Sequence, residues 1–259
     1  MTDGPFDLSG EVAFVTGGNG GIGRAMAMAL AQAGADVAIA ARDHERSLSV
    51  QREIEALGRR AAAFTCDVSN STDVDRAVNA TLGSLGKISI VVNNAGISRF
   101  SPPEALAEAD WDAVVDVNLK GSFLVARACF PALVANGRGK IINIASGYSL
   151  FGTTTNLPYG ASKGGVLTLT YGLANSWAQY GIQVNAVIPG VIETDIWRGA
   201  FENVEFRKRM EQRTPAGRVG QPQDLGGVAV FLASRASDFV TGQWIAVDGG
   251  LFTADLVAR

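Results

Sequence analysis

The sequence predicts an α/β protein: one doubly wound, Rossmann-like parallel sheet of about seven strands, with helices on both faces. Three observations carry that expectation. Short apolar runs alternate with helix-length segments from Val12 to Val247. A cluster of glycines (Gly17, Gly18, Gly20, Gly21 and Gly23) falls between the first strand-like run and the first helix-like one. No linker, repeat or low-complexity tract interrupts the 259 residues, so residues 1–259 are read as a single domain.

Val12–Val15 is apolar throughout, the pattern of a strand covered on both faces. Gly23–Ala33 follows at helical length and stops where Gly34 supplies a C-terminal cap residue. Val37–Ala41 is a second buried strand, His44–Leu57 a helix closed by Gly58, and Ala61–Cys66 a third strand. Asn70–Leu85 is helical, with Asn70 or Ser71 as its N-cap. Ile88–Val92, short and β-branched, is the fourth strand. The second half repeats the alternation with longer pieces. Trp111–Val134 is one long helix and Lys140–Ala145 a strand. Tyr159–Tyr180 is another long helix, and the strand Gln183–Ile188 is halted by Pro189-Gly190. The polar, charged stretch Thr194–Arg213 is expected to be a mobile excursion rather than sheet. Pro222–Ala233 and Trp244–Val247 supply the last helix and strand.

Composition excludes several function classes. The charge balance is 22 basic against 25 acidic residues, a net −3, without the clustered basic excess that nucleic acid requires. No unbroken apolar run approaches the roughly 20 residues of a membrane helix. The opening MTDGPFDLSG lacks the basic start and apolar stretch of a secretory signal, so a cytoplasmic protein is expected. Cys66 and Cys129 cannot build a disulfide framework or a four-ligand zinc site, and no metal is expected. The single histidine, His44, disfavours a Ser-His-Asp triad and reads as a solvated turn residue. Cys66 reads as an inert core thiol.

The glycine cluster is the segment Thr16-Gly17-Gly18-Asn19-Gly20-Gly21-Ile22-Gly23. Glycines there could do no more than make a tight turn. Their place at the first strand-to-helix crossing favours a second role. The backbone can approach a bulky anion, and the following helix offers N–H groups and a positive dipole end to a pyrophosphate. Gly17, Asn19, Gly20, Gly21, Ile22 and Gly23 are therefore candidate dinucleotide contacts.

This spacing resembles the T-G-x-x-x-G-x-G turn of the short-chain dehydrogenase/reductase family, and the likeness runs from about Leu8 to Gly250. Asn93-Asn94-Ala95-Gly96 is similar to the family's N-N-A-G motif, and Asp67-Val68 to its acidic-hydrophobic adenine contact. Pro189-Gly190-Val191-Ile192-Glu193-Thr194 resembles its P-G-x-x-x-T nicotinamide loop, and Val247-Asp248-Gly249-Gly250 its ending. Asn118, Ser146, Tyr159 and Lys163 fall in the order of its catalytic tetrad. The resemblance implies an NAD(P)-dependent oxidoreductase interconverting a secondary alcohol and a ketone. It adds Asp67, Val68, Asn94, Ala95, Gly96, Pro189, Gly190, Ile192 and Thr194, together with Tyr159 and Lys163, to the cofactor contacts.

The chemistry explains the residue types. Tyr159 and Lys163 are four apart at the start of a helix, so they share a face. Alone, the pair could be a solvated aromatic and a surface charge; beside a phosphate turn, the acid–base reading prevails. Ketone reduction needs a proton at oxygen, and a phenol with a pKa near 10 exchanges protons sluggishly at pH 7. A nearby ammonium favours the phenolate, so Lys163 is expected to lower the pKa of Tyr159. The resemblance gives Lys163 a second task, binding the nicotinamide ribose. Ser146 follows a strand end, where ligands bind in open α/β sheets. Asn118 stands mid-helix in a poor helix-forming type, which points to a local side-chain bond; relatives use this position in a water relay.

Specificity is expected from the loop after Gly96, from Gly147–Asn156 and from Thr194–Arg213, which offer Arg99, Phe100, Tyr148, Phe151, Trp197 and Phe201. Pro215–Gly220 and the ending are similar both to sugar or sugar-acid dehydrogenases and to 3-oxoacyl-thioester reductases of the family. A sugar, sugar acid or polyol is the favoured substrate. The basic set Arg207, Lys208, Arg209 and Arg213 reads as a solvated helix face. After the second strand, Ala41 stands where an acidic residue would bind the ribose of NAD, and Arg42 suits a 2′-phosphate. Gly20 and Asp43 weigh against this, yet NADP is favoured over NAD. The resemblance implies a homotetramer, and the apolar excess of the two long helices and of the tail Leu251–Val257 agrees with it. The rival class is a non-catalytic nucleotide-binding regulator; a nucleotide-fold methyltransferase leaves Tyr159 and Lys163 unexplained.

Overall fold

The computed structural model describes residues 4–195 and 198–253. Its centre is a seven-stranded, wholly parallel sheet: β1 (Val12–Thr16), β2 (Asp36–Ala41), β3 (Ala61–Thr65), β4 (Ile90–Asn93), β5 (Gly139–Ile144), β6 (Ile182–Pro189) and β7 (Trp244–Val247). In space they run β3-β2-β1-β4-β5-β6-β7. The chain winds outward from β1 to β3, then crosses back and winds the other way from β4. The reversal leaves β1 beside β4, the switch point at which open α/β sheets bind ligands.

Helices cover both faces. On one face lie α1 (Gly21–Gln32), α2 (His44–Ala56) and α9 (Gly226–Ala233). On the other lie α3 (Ser71–Leu85), α4 (Glu108–Val115), α5 (Gly121–Ala135) and α6 (Leu157–Trp177). Between β6 and α9 stand α7 (Arg198–Phe201) and α8 (Val204–Arg213). Side chains of one strand alternate between two cores, as period-two geometry requires. Ala13 and Val15 pack with Met26, Leu30 and Leu232, while Val12 and Phe14 pack with Val74, Val78, Val125 and Leu133. Both faces being covered explains why the inner strands read as unbroken apolar runs.

The predicted elements all appear, with boundaries moved by one to three residues in most of them. Asn70 is the cap of α3, its side chain accepting from the N–H of Thr72 and Asp73. One reading is borne out with an irregularity and one needs correction. The helix expected at Trp111–Val134 is one 28-residue rod, Glu108–Ala135, with a turn of π-helix at Asp116–Lys120. By length and composition this rod could cross a membrane, but it packs on α3, α6, β4 and β5 as a core helix does. The stretch Thr194–Arg213, expected to be a mobile excursion, holds α7 and α8 instead. Asn203 caps α8, accepting from the N–H of Glu205 and Phe206, and Arg207 pairs with Glu193 at 3.1 Å and Glu211 at 3.1 Å. Capping and ion pairs stabilise a helix with no buried residue to advertise it.

Asp36, the first residue of β2, ties the sheet to the α2–β3 connection. Its carboxylate accepts from the Arg60 N–H at 2.9 Å, Arg60 Nε at 2.8 Å and Arg59 Nη2 at 3.0 Å. Burial raises its pKa, and the bonds from Arg60 and the charges of Arg59 and Arg60 more than reverse that, leaving it below 3.8. A folded-state pKa below the unfolded one means stability present above about pH 4 and lost on further acidification. Asp36→Asn should lower the melting temperature at pH 7 by a few degrees and flatten its fall below pH 4, read by calorimetry across pH.

Candidate active site

Four strand ends meet at the switch point and enclose a cavity of about 340 Å³. Its wall is formed by Gly17, Asn19, Gly20, Gly21 and Ile22 after β1, Arg42 and Asp43 after β2, Asp67 and Val68 after β3, and Asn94, Ala95 and Gly96 after β4. Thr194 closes it from beyond β6. Most of the predicted cofactor contacts are thereby brought together.

The glycine turn is moulded to the neighbouring strand. Asn94 Nδ2 donates to the carbonyls of Thr16 at 3.0 Å and Gly17 at 3.1 Å. Gly17 takes a left-handed φ of +61°, and a Cβ there would stand 2.9 Å from that Asn94 amide. A Cβ at Gly23 would overlap both the Gly17 carbonyl oxygen and the Asn94 amide, so Gly23 works from beneath the turn rather than in the cavity wall. No side chain caps α1, whose first-turn N–H groups belong to the cavity-lining Gly21 and Ile22 and to Gly23. The cradle fits a dinucleotide pyrophosphate: bare backbone, uncapped helix N-terminus and no acidic residue in the first turn. Hydrogen bonds from Ser69 hold the Asp67 carboxyl below the usual carboxylate range, with the charge of exposed Arg42 adding to the effect.

Not every predicted contact lines that cavity. Pro189 ends β6 against Val247, while Gly190 and Ile192 line a second cavity of about 230 Å³ with Thr214 and Asp248. A Cβ at Gly190 would lie 2.6 Å from Asp248 Cα, so this glycine permits the β6 exit to pass the final strand's end.

The acid–base residues gather at the carboxyl edge of β5. Tyr159 and Lys163 stand one turn apart near the start of α6, with Lys163 Nζ 5.7 Å from the Tyr159 ring centroid. Ser146, just past β5, heads the short turn Gly147–Ser149 and accepts from the Tyr148 N–H at 3.2 Å, and its hydroxyl acts on Tyr159 by pulling the phenol pKa down. The expected lowering of the phenol pKa by Lys163 is not what this geometry produces. Burial raises the Tyr159 pKa and outweighs the opposing effect of Ser146. Lys163 Nζ donates to the Ile144 carbonyl at 2.6 Å, and burial pushes its pKa down to about 8.

Asn118 sits in the π-turn, fully buried. Its Oδ1 accepts from the Ile97 N–H at 2.8 Å, and its Nδ2 donates to the Ile97 carbonyl at 3.0 Å and to Ser162 Oγ at 3.0 Å. Ser162 in turn donates to the Tyr159 carbonyl at 2.8 Å. The expectation of a local bond is therefore corrected: the Asn118 side chain bonds to residues 21 and 44 positions away and so links three elements. A hypothetical Cβ on Gly96 would lie 3.3 Å from Asn118 Oδ1 and 3.6 Å from Lys163 Nζ, so the dinucleotide cavity abuts the acid–base group.

Sequence reasoning missed Ser162, the buried chain Asn93–Asn143–Thr170 under the site, and Arg46, which also lines the cavity. The available signals were polar residues inside apolar runs, and an Arg42–Arg46 spacing of one helical turn. Of the expected specificity residues, Tyr148 meets Tyr159 edge-on at 6.3 Å and Phe151 meets Phe252 at 5.5 Å. Arg99 pairs with Asp110 at the surface, Phe100 is exposed, Phe201 is buried, and Trp197 lies outside the described residues. Cys66 and Cys129 are buried, and burial pushes the Cys66 thiol up to about 11. Gly23→Ala should weaken dinucleotide binding by at least about tenfold, because the added methyl meets backbone that cannot yield; titration of cofactor fluorescence reads this.

Comparison with known proteins agrees with this architecture. Residues 17–252 match the family model described as enoyl-(acyl carrier protein) reductase. Gluconate 5-dehydrogenase of Gluconobacter oxydans (strain 621H) is 42% identical over 95% of this chain and 96% of its own length. The 2-dehydro-3-deoxy-D-gluconate 5-dehydrogenase of Bacillus subtilis (strain 168) is 44% identical over the same shares. The crystal structure of a gluconate 5-dehydrogenase from Burkholderia cenocepacia J2315, in complex with NADP and tartrate, superposes with a TM-score of 0.93. It is 43% identical, over 97% of this chain and 98% of that one. With its glycine turn, N-N-A-G strand end and Ser146–Tyr159–Lys163 group in these places, the chain belongs to the short-chain dehydrogenase/reductase family.

Proposed function

We propose that this protein is an NADP-dependent oxidoreductase interconverting a secondary alcohol and a ketone on a sugar acid of the gluconate type. One observation carries the reading. An intact Ser146–Tyr159–Lys163 group beside a dinucleotide cradle occurs in a chain 42–44% identical, over nearly its whole length, to enzymes named for gluconate and its dehydro derivatives. The NADP assignment is supported by Arg42 in the cavity wall, by alanine at position 41, and by solved relatives that carry bound NADP. A cytoplasmic location goes with the two buried, free cysteines.

The nicotinamide, when bound, supplies the hydride for ketone reduction and accepts it in the reverse reaction. The chain's own residues handle the proton. Tyr159, held neutral by burial, donates from its hydroxyl to the carbonyl oxygen as that oxygen gains charge. Ser146, whose hydroxyl acts on the same phenol, stabilises the same oxygen. Lys163 balances the phenolate left behind, and Asn118 fixes the Ile97 backbone and, through Ser162, the Tyr159 backbone. Tyr159→Phe should cut turnover by roughly 10²- to 10⁴-fold while NADPH titrates normally. Because Lys163 loses its proton as pH rises through about 8, ketone reduction should decline across that range, a limb that Lys163→Arg moves to higher pH.

A second reading, a 3-oxoacyl-thioester reductase, draws on the acyl-thioester substrates named in the family model's description and in a 39% identical (2S)-[(R)-hydroxy(phenyl)methyl]succinyl-CoA dehydrogenase subunit of Thauera aromatica. A panel of gluconate, its keto derivatives, polyols and 3-oxoacyl thioesters, each with NADP(H) and NAD(H), separates the two. Turnover of keto-gluconates with NADPH is expected; turnover of thioesters alone would overturn the sugar-acid assignment.

A homotetramer completes the reading. Phe123 on α5, Tyr171 on α6 and Trp244 on the edge strand β7 are 38–42% exposed, and Phe239 is fully exposed. Apolar surface of this kind, spread over two helices and a sheet edge, suits a twofold-symmetric assembly. Light scattering at micromolar concentration should give four times the 27.0 kDa chain mass; a monomer would refute the assembly.

A further inference from the structure

The cavity contains an arginine that the assignments above leave without a task. Gly20 has an extended backbone (φ −170°, ψ 167°) open to any residue, so conformation does not explain its being glycine. Space does. A Cβ at Gly20 would stand 2.7 Å from Arg46 Nη2 and 3.6 Å from Arg46 Cζ. The Arg46 guanidinium lies over the turn, where a side chain from position 20 would otherwise be. It reaches there from the first turn of α2, which is fastened to the same glycine segment. Asn19 Nδ2 donates to the Asp43 carbonyl at 3.0 Å, and the Asp43 carboxylate accepts from the Arg46 N–H at 3.0 Å. Arg42 and Arg46 both line the cavity. Arg46 also pairs with Asp195 at 3.3 Å, with both side chains about half exposed, a pairing that solvent and salt keep weak.

We propose that Arg46 is a second cation of the 2′-phosphate site, acting with Arg42. The inference rests on the NADP reading. Two guanidiniums at one cavity wall offer forked donors that match phosphate geometry, and a phosphate dianion is a stronger partner than the exposed Asp195 carboxylate. Arg46 exchanges Asp195 for the phosphate when NADP binds, and glycine at position 20 leaves the Arg46 guanidinium room over the turn.

The test measures binding directly. Wild type, Arg46→Ala and Arg46→Gln are titrated calorimetrically with adenosine 2′,5′-bisphosphate and with 5′-AMP, and by fluorescence with NADPH and NADH. Removing one charge-assisted contact should weaken the bisphosphate and NADPH by about 10- to 100-fold and leave 5′-AMP and NADH within about twofold. Gly20→Arg placed in the Arg46→Ala background should recover most of the lost bisphosphate affinity, since the vacated space accepts the new side chain. Melting temperatures of the variants should match wild type, because Arg46 buries little. Equal losses for both ligand classes, or no loss for the bisphosphate, would overturn the role of Arg46. Wild type binding NADH as tightly as NADPH would instead overturn the NADP reading beneath it.

Discussion

Where the sheet reverses its winding, the carboxyl ends of β1 and β4 must lie side by side with their backbone groups accounted for. Thr16 and Asn94 meet that requirement. Thr16 Oγ1 accepts from the N–H of Asn94 and Ala95 and donates to the Val92 carbonyl, while Asn94 Nδ2 donates to the carbonyls of Thr16 and Gly17. Each such bond contributes on the order of 1 kcal/mol net, comparable to the backbone entropy cost of one glycine held in place. Several together fix a turn that would otherwise be loose. The turn then sets the N-terminus of α1, and the β4 end sets Gly96 against Asn118 and Lys163. Phosphate cradle and acid–base group are both built outward from one pair of strand ends.

A buried polar column runs beneath that seam, which an apolar core would not tolerate without reason. Asn93 Nδ2 donates to Asn143 Oδ1, Asn143 Nδ2 to Thr170 Oγ1, and Thr170 to the Val166 carbonyl. Asn93 also donates to the Ser122 carbonyl, and Ser122 Oγ to that of Asn118. The column thereby joins β4, β5, α5 and α6, and α6 and the end of β5 carry the acid–base residues. Hydrogen bonds are directional where apolar packing is not, so such a network specifies the register between helices and sheet. The π-turn belongs to the same design. An extra residue in the helix swings Asn118 inward to meet Ile97 and Ser162, at the expense of regular helical bonding over Asp116–Lys120.

The fold was legible because its signals are short-range and redundant. Strands buried on both faces must be apolar, glycines mark the crossings, and Asn70 announces a helix start where the structure has one. Tyr159, Lys163 and Ser146 could be read because their spacing places them on one helix face and at one strand end. What escaped was of two kinds. The helices α7 and α8 carry no apolar stripe, so periodicity was silent about an element held by Asn203 and by Arg207 with its glutamates. Ser162, Asn143 and Arg46 act through partners 44, 27 and 149 positions away, which no local pattern encodes. The electrostatic expectation for Tyr159 failed for a related reason. Spacing says that an ammonium is near, but not which carbonyl has already engaged it.

That carbonyl bears on how the site divides its protons. Lys163 with a pKa near 8 remains roughly nine-tenths charged at pH 7, and the Ile144 carbonyl takes part of that charge at 2.6 Å. Tyr159, raised by burial, stays neutral. The protein's own side chains therefore set the phenol as an acid, with the Ser146 hydroxyl as the one group pulling the other way. Each unit by which the phenolate is later favoured requires about 1.4 kcal/mol of new interaction with that anion. A modest shift of Lys163 from the Ile144 carbonyl toward the phenol oxygen would supply an interaction of this size, since unlike charges close together in a partly buried site gain a few kcal/mol. The arrangement thus sets the phenol as proton donor, and the Lys163 ammonium, 5.7 Å from the Tyr159 ring centroid, stands close enough to favour the phenolate once the proton has left.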